Sequence, residues 1–92
     1  MSHLHIFDQT SLARIIAYLS GGKRASITDL KRDIGASQSA IYKAIPILLE
    51  YNLVLQSRFT IRPYTLETWL TPKGEQIAQL LIQINQILLG AS

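Results

Sequence analysis

The chain contains no cysteine, so disulfides and cysteine-ligated zinc cannot support its fold. Small domains often depend on such supports, because a chain of 92 residues buries proportionally little surface. We therefore expect oligomerisation to add to the stability of the core. The absence of thiols also agrees with a reducing cytoplasm, where we expect the protein to act.

Long apolar runs and an export signal are missing as well. No stretch of 18 or more apolar residues is present, and the first ten residues lack the basic and apolar regions of a secretory signal. We therefore expect a protein that is neither exported nor bound to a membrane.

The sequence shows none of the patterns that catalysis or cofactor binding requires. It has no Gly-rich phosphate loop, no cluster of metal ligands and no nucleophile paired with a base. We interpret His3 and His5 as part of a terminal segment without a metal role. The expectation is a protein that is not an enzyme, with no cofactor, no metal and no evident small-molecule effector.

Charge is scarce and unevenly distributed. Charged residues make up 16% and hydrophobic residues 48% of the chain, which is typical of a globular protein. All nine Lys and Arg residues precede Gly74, and Glu75 is the single charge after it. The net charge of +3 permits a nucleic-acid partner without requiring one. Because the chain is short and has no repeats or linkers, we expect one domain whose two ends have different tasks.

Two short helices are predicted first. Apolar residues at i, i+3, i+4 and i+7 indicate a helix over 7–20, which Gly21 and Gly22 end. Those residues are Leu12, Ile15, Ile16 and Leu19. A second helix is predicted to begin at Thr28 as its cap and to stop at Gly35.

A third helix follows after a tight turn. Ser37 is suited to cap it, and the pattern extends to about Tyr51, so the second and third helices form a helix-turn-helix. Pro46 predicts a kink, which leaves the first two turns for recognition. The residues expected to face inward are Ala40, Ile41, Ala44, Ile45, Leu48 and Leu49.

The remainder reads as a hairpin and a long helix. Asn52 suits a left-handed helix end, and strands are predicted over 53–59 and 66–70 around a loop that contains Pro63. Leu66, Thr68 and Leu70 share one face of the second strand. Thr71 and Pro72 then suit the start of a helix to about residue 89. The fold class is therefore mainly α with a small β-hairpin (α+β), in the order helix, helix, helix, strand, strand, helix.

Three segments carry a resemblance to a known family: GASQSAIYKAIPILLEYNLV, the hairpin, and LTPKG, which is similar to an LTxKG pattern. Together they resemble the winged helix-turn-helix domains of prokaryotic and archaeal transcription regulators, over roughly residues 10 to 75. The resemblance implies that helix 37–51 enters the major groove and that the hairpin, or wing, at 57–66 meets the backbone or minor groove. It assigns base or phosphate contacts to Ser37, Gln38, Ser39, Tyr42 and Lys43.

The same face follows from helical geometry. If Ile41, Ile45 and Leu48 are buried, a rotation of 100° per residue turns Gln38 and Lys43 toward solvent, along with their neighbours Ser39 and Tyr42. The alternative is a plain polar helix face.

Other basic and aromatic residues have two interpretations each. Arg58 and Arg62 either contact DNA from the wing or lie on a solvated surface, and Tyr64 either stacks or packs on the loop. Lys31 and Arg32 either contact DNA or pair with Asp29 and Asp33.

The last helix is too apolar for a small core to bury entirely. Its stripe consists of Ile77, Leu80, Leu81, Ile84, Ile87 and Leu88. A second copy of the chain is the simplest partner, as in archaeal winged-helix proteins whose C-terminal helices resemble this one and pair as an antiparallel coiled coil. The alternative is packing against the first helix. The chain thus divides into a DNA-binding region, 1–73, and a dimerisation helix, 72–90.

The predicted function is that of a homodimeric transcription regulator that binds specific duplex DNA sequences in the cytoplasm, associated with the nucleoid. Two alternatives stay open. One is a winged-helix module for protein interaction, and the other is a chromatin protein that binds DNA without sequence preference.

Overall fold

The computed structural model describes residues 10–57 and 66–90. Its elements are α1 (Thr10–Tyr18), β1 (Ala25–Ser26), α2 (Ile27–Ile34), α3 (Gln38–Glu50), β2 (Val54–Gln56), β3 (Glu67–Leu70) and α4 (Pro72–Leu88). The predicted class, mainly α with a small β-hairpin, is confirmed. The strand end at Phe59 and the loop around Pro63 lie outside the described residues.

The core is built from one face of each of the first three helices. Leu12, Ile15, Ile16 and Leu19 of α1 are fully buried, as their spacing predicts. They meet Leu30 of α2 and the buried face of α3. Four residues form that face of α3: Ile41, Ala44, Ile45 and Leu48.

The prediction that Leu49 faces inward is wrong. Its side chain is 40% exposed, whereas Leu48 is fully buried. The reason is the helical rotation, because Leu49 lies 100° beyond Leu48 and so leaves the buried stripe.

Helix α2 begins earlier than predicted. The Ser26 hydroxyl accepts a hydrogen bond from the Asp29 backbone N–H, and the Asp29 carboxylate accepts one from the Ser26 N–H, both at 3.1 Å. This reciprocal pair is a capping box, so Ser26 and not Thr28 caps the helix. Gly35 ends α2 with a φ of 75°, and its N–H donates to the Lys31 carbonyl.

The predicted hairpin has a third strand. The sheet order is β1-β3-β2, with β3 antiparallel to both neighbours. Val54 pairs with Leu70, and Thr68 pairs with Gln56 on one side and Ala25 on the other. Strand β1 has two residues, too few to show a periodic pattern. Thr68 and Leu70 are buried on the inner face, as their alternation predicts.

Helix α4 starts in close contact with the end of α3. Thr71 caps it: its hydroxyl accepts from the Gly74 N–H at 3.0 Å and donates to the Asn52 carbonyl at 2.7 Å. Asn52 has the left-handed φ of 58° that its position predicts. Lys73 donates from Nζ to the Tyr51 carbonyl at 3.0 Å. A Cβ on Gly74 would lie 2.1 Å from the Leu53 carbonyl oxygen, so no side chain fits there.

The two halves of α4 have different surroundings. Ala78 is fully buried, and Ile77 and Leu81 are half-buried against the core, so the first half packs on the domain. From Ile84 onward the large apolar side chains are exposed, and Ile87 is 76% exposed. Among the helices within 10–57 and 66–90, none has the length and apolarity that crossing a membrane requires.

We expect Gly74→Ala to lower the free energy of unfolding by about 2 kcal/mol or more, because the added methyl group forces α4 away from the Leu53 carbonyl. Urea denaturation measures the change. Gln76→Ala, on the exposed side of the same turn, is the control and should stay within about 0.5 kcal/mol of the parent. Equal stability of the two variants would contradict the close approach.

We expect Ser26→Ala to cost about 1 kcal/mol of stability, because it removes the hydroxyl acceptor of the capping box. Thr28→Ala should have little effect, since Thr28 is exposed and lies inside α2. Thermal denaturation of the two variants compares them directly. A larger loss in Thr28→Ala than in Ser26→Ala would restore Thr28 as the cap.

Candidate nucleic-acid interface

The exposed start of α3 forms the candidate interface. Ser37 has extended backbone angles and caps the helix, since its hydroxyl accepts from the Ala40 N–H at 3.1 Å. The hydroxyl acts as an acceptor in this bond, so its hydrogen is available to a phosphate oxygen. The cap fixes the direction in which Gln38 and Ser39 leave the turn.

Four side chains extend from the first two turns of α3 on the side opposite the core. Gln38, Ser39, Tyr42 and Lys43 are all exposed, and Tyr42 is 51% exposed. Their outward orientation is the one that the helical rotation predicts. Their contact with DNA stays a prediction.

Pro46 extends this face by one turn. It is exposed, and α3 continues past it to Glu50. Because proline has no N–H, the Tyr42 carbonyl lacks its usual partner one turn later. Tyr42 and Pro46 are four residues apart, so their rings lie on the same side of the helix.

The basic residues of α2 differ from each other. Arg32 pairs with Asp29 at 3.0 Å and with Asp33 at 2.9 Å. Lys31 is exposed and has no ion pair within residues 10–57 and 66–90. The contact of either residue with DNA stays a prediction.

The acidic partners of Arg32 have lowered pKa values. Hydrogen bonds from Arg32 and then Tyr18 lower the pKa of Asp33. The backbone N–H of Ser26 contributes most to the lowered pKa of Asp29. The Tyr18 hydroxyl donates to Asp33 at 2.5 Å, and this bond raises the pKa of Tyr18. These bonds tie the end of α1 to α2 behind the helix-turn-helix.

Two further cations lie against aromatic rings. Lys23 Nζ is 4.1 Å from the centre of the Tyr18 ring, and the Arg24 guanidinium is 4.1 Å from that of Trp69. The first contact spans the loop after α1, whereas the second joins residues that are far apart in sequence, so no local pattern indicates it. Arg14 also has an internal partner, because it donates to the Ile34 carbonyl.

Arg58, Arg62 and Tyr64, which the sequence analysis assigned to the wing, lie outside the described residues. Within the part of the chain that is described, no group of three or more His, Asp or Glu side chains is arranged to hold a metal ion.

The arrangement was compared with known proteins. No family model and no curated protein matches the chain. Solved structures do match. The adhesin competence repressor AdcR of Streptococcus pyogenes superposes with a TM-score of 0.76 over 88% of this chain, at 23% identity. Wild-type ZitR of Lactococcus lactis, solved in complex with DNA, superposes with a TM-score of 0.75 over 89% of this chain, at 21% identity.

The chain has the winged helix-turn-helix fold. Reduced HlyU of Vibrio cholerae has the same architecture, with a TM-score of 0.71 over 88% of this chain at 20% identity. The chain spans 60% of the AdcR chain, 56% of the ZitR chain and 82% of the HlyU chain. These three proteins are bacterial, and the likeness to archaeal regulators stays a prediction.

Proposed function

We propose that this winged helix-turn-helix protein is a non-enzymatic transcription regulator that binds specific duplex DNA sequences as a homodimer. The exposed face of α3 carries the proposal, since it presents amide, hydroxyl, phenol and ammonium groups on one side of a helix whose other side is buried. ZitR, which shares the fold, was solved in complex with DNA. Such a protein acts where the genome is, in the cytoplasm and associated with the nucleoid.

Helix α3 suits the major groove in size and chemistry. The groove is about 12 Å wide and admits one α-helix, and the N-terminal residues of a recognition helix meet the base edges. Gln38 and Ser39 lie there, while Lys43 one turn later reaches a phosphate. Lys31 of α2 offers a second phosphate contact. By sequence, Arg58 and Arg62 add two cations to the wing segment 57–66.

The second half of α4 supports the homodimer. Four large apolar side chains are between 52% and 78% exposed there or at the helix end: Ile84, Ile87, Leu88 and Leu89; Leu80, 58% exposed, extends this surface toward the first half. An apolar cleft between this half and α1, which includes Ala17 and Leu88, continues the surface. Exposed apolar surface of this kind marks an interface.

A second copy is the partner that fits this surface best. Glu75, the single charge after Gly74, accepts hydrogen bonds from the N–H groups of Gly21 and Gly22 at the far end of α4. The part of α4 after Glu75 is uncharged, so two copies of it meet without like-charge repulsion, and a two-fold pairing closes on itself. Pairing also presents two copies of α3, as a two-fold DNA site requires.

We expect Lys43→Gln to weaken duplex binding by about fivefold and to reduce the slope of log affinity against log salt by about 1, because one phosphate contact is lost. Fluorescence anisotropy over a salt series measures both quantities. Lys73→Gln is the matched control. It removes the same charge, but Lys73 lies on α4 and donates to the Tyr51 carbonyl at the C-terminal end of α3, away from Gln38. Its affinity should stay within about twofold of the parent.

Affinity that does not change with salt, or no affinity for any duplex, would refute DNA binding. Intact duplex binding in Lys43→Gln together with loss of a protein partner would instead favour the protein-interaction module.

We expect the double substitution Ile87→Glu and Leu88→Glu to convert a dimer into a monomer, because it places charges in an apolar interface. Sedimentation equilibrium measures the mass. Gln83→Glu introduces a charge on an exposed residue of the same helix outside the apolar stripe and should leave the dimer in place. A monomeric parent protein would rule out the dimer.

A further inference from the structure

We propose that α3 reads adenine–thymine pairs in the major groove, so that each half-site is A·T-rich where this helix lies. The inference rests on the proposed DNA binding and names the class of base pair that the same face recognises. Three exposed residues carry it: Gln38, Tyr42 and Pro46.

The residue types on the face favour this base pair. In the major groove, guanine is bound chiefly by Arg or Lys and cytosine by Asp or Glu, whereas adenine is bound by Asn or Gln. The thymine methyl group contacts apolar side chains. Between Ser37 and Leu49 the helix has no arginine and no carboxylate. The carboxylate contact to cytosine is therefore absent, Lys43 is the single basic side chain suited to guanine, and the hydroxyls of Ser37 and Ser39 suit either base pair.

Tyr42 and Pro46 form an apolar strip on the outer side of α3. Tyr42 is 51% exposed, Pro46 is also exposed, and neither belongs to the buried stripe. Four residues of helix rise about 6 Å, which is close to two base-pair steps. Two thymine methyl groups two steps apart on one strand would cover apolar surface that otherwise faces water.

Gln38 supplies the contact to adenine. It is the first residue of α3, directly after the Ser37 cap, where recognition helices meet the base edges. Within residues 10–57 and 66–90 no group is hydrogen-bonded to its side-chain amide. The amide therefore offers both the donor and the acceptor that adenine N7 and N6 require.

Lys43 has a different task on this face. Its ammonium is a compact charge on a flexible stem, which suits a phosphate oxygen, whereas guanine is best bound by the fixed fork of arginine. It lies about 100° round the helix from Tyr42, toward the flank of the strip.

Four hairpin duplexes of equal length and alternating sequence test the inference at one salt concentration: d(AT), d(AU), d(IC) and d(GC). The d(AU) duplex lacks the thymine methyl group. The d(IC) duplex keeps the minor-groove pattern of A·T pairs but presents the major-groove pattern of G·C pairs. We expect the parent protein to bind d(AT) about tenfold more tightly than d(IC) and d(GC), and severalfold more tightly than d(AU).

The variant Tyr42→Ser removes the ring and should reduce the preference for d(AT) over d(AU) by about half on a logarithmic scale, because the Pro46 contact with a thymine methyl group remains. Leu49→Ser is the matched control, because it removes an apolar side chain of similar exposure beyond Pro46 on the same helix. Leu49→Ser should keep the parent protein's ratio of affinities for d(AT) and d(AU). Both positions are exposed, and circular dichroism verifies that each variant is folded.

Equal binding of d(IC) and d(AT) would overturn the inference, since the preference would then come from the minor groove. Tightest binding to d(GC), or equal binding to all four duplexes, would also overturn it and would leave DNA binding itself in place. Binding to none of the four would refute the proposed function instead.

Discussion

The carbonyl oxygen of Leu53 holds together the parts of this molecule that the proposed function uses. It accepts a hydrogen bond from the Thr71 N–H at 3.0 Å and lies so near Gly74 that only a hydrogen atom fits between them. At this point α3 has just ended, β2 is about to begin, and β3 passes into α4. The contact therefore fixes α3, the sheet and α4 relative to one another.

The residues of the motif LTPKG have structural roles at this junction. Thr71 caps α4 and bonds to the Asn52 carbonyl, Pro72 occupies the first turn, Lys73 bonds to the end of α3, and Gly74 permits the close approach. The next residue, Glu75, binds the loop after α1, because its carboxylate accepts hydrogen bonds from the backbone N–H groups of Gly21 and Gly22. The segment 71–75 thus connects the start of α4 to the end of α3 and to the loop after α1.

Most cations of the described residues have internal partners. Five do: Arg14, Lys23, Arg24, Arg32 and Lys73. Lys31 and Lys43 have no such partner among the described residues. The outer face of the first two turns of α3 carries one charge, that of Lys43, so the proposed recognition there depends on the shape and hydrogen bonding of its side chains. This is why the proposed preference for A·T pairs follows from amide and ring groups.

The sequence by itself determined several features that depend on residues up to four apart, although the Ser26 cap of α2 was missed. The periodic apolar residues gave α1 and α3 their buried faces, Ser37 and Thr71 were recognisable caps, and the outward direction of Gln38 and Lys43 followed from helical rotation. The tertiary structure alone decided the features that depend on distant segments. Strand β1 exists because β3 lies beside it, Arg24 lies over the ring of Trp69 from a distant part of the chain, and α4 divides into a packed and an exposed half because the core ends near Leu81. Local patterns specify local hydrogen bonds and faces, but which faces meet depends on the packing of the whole chain.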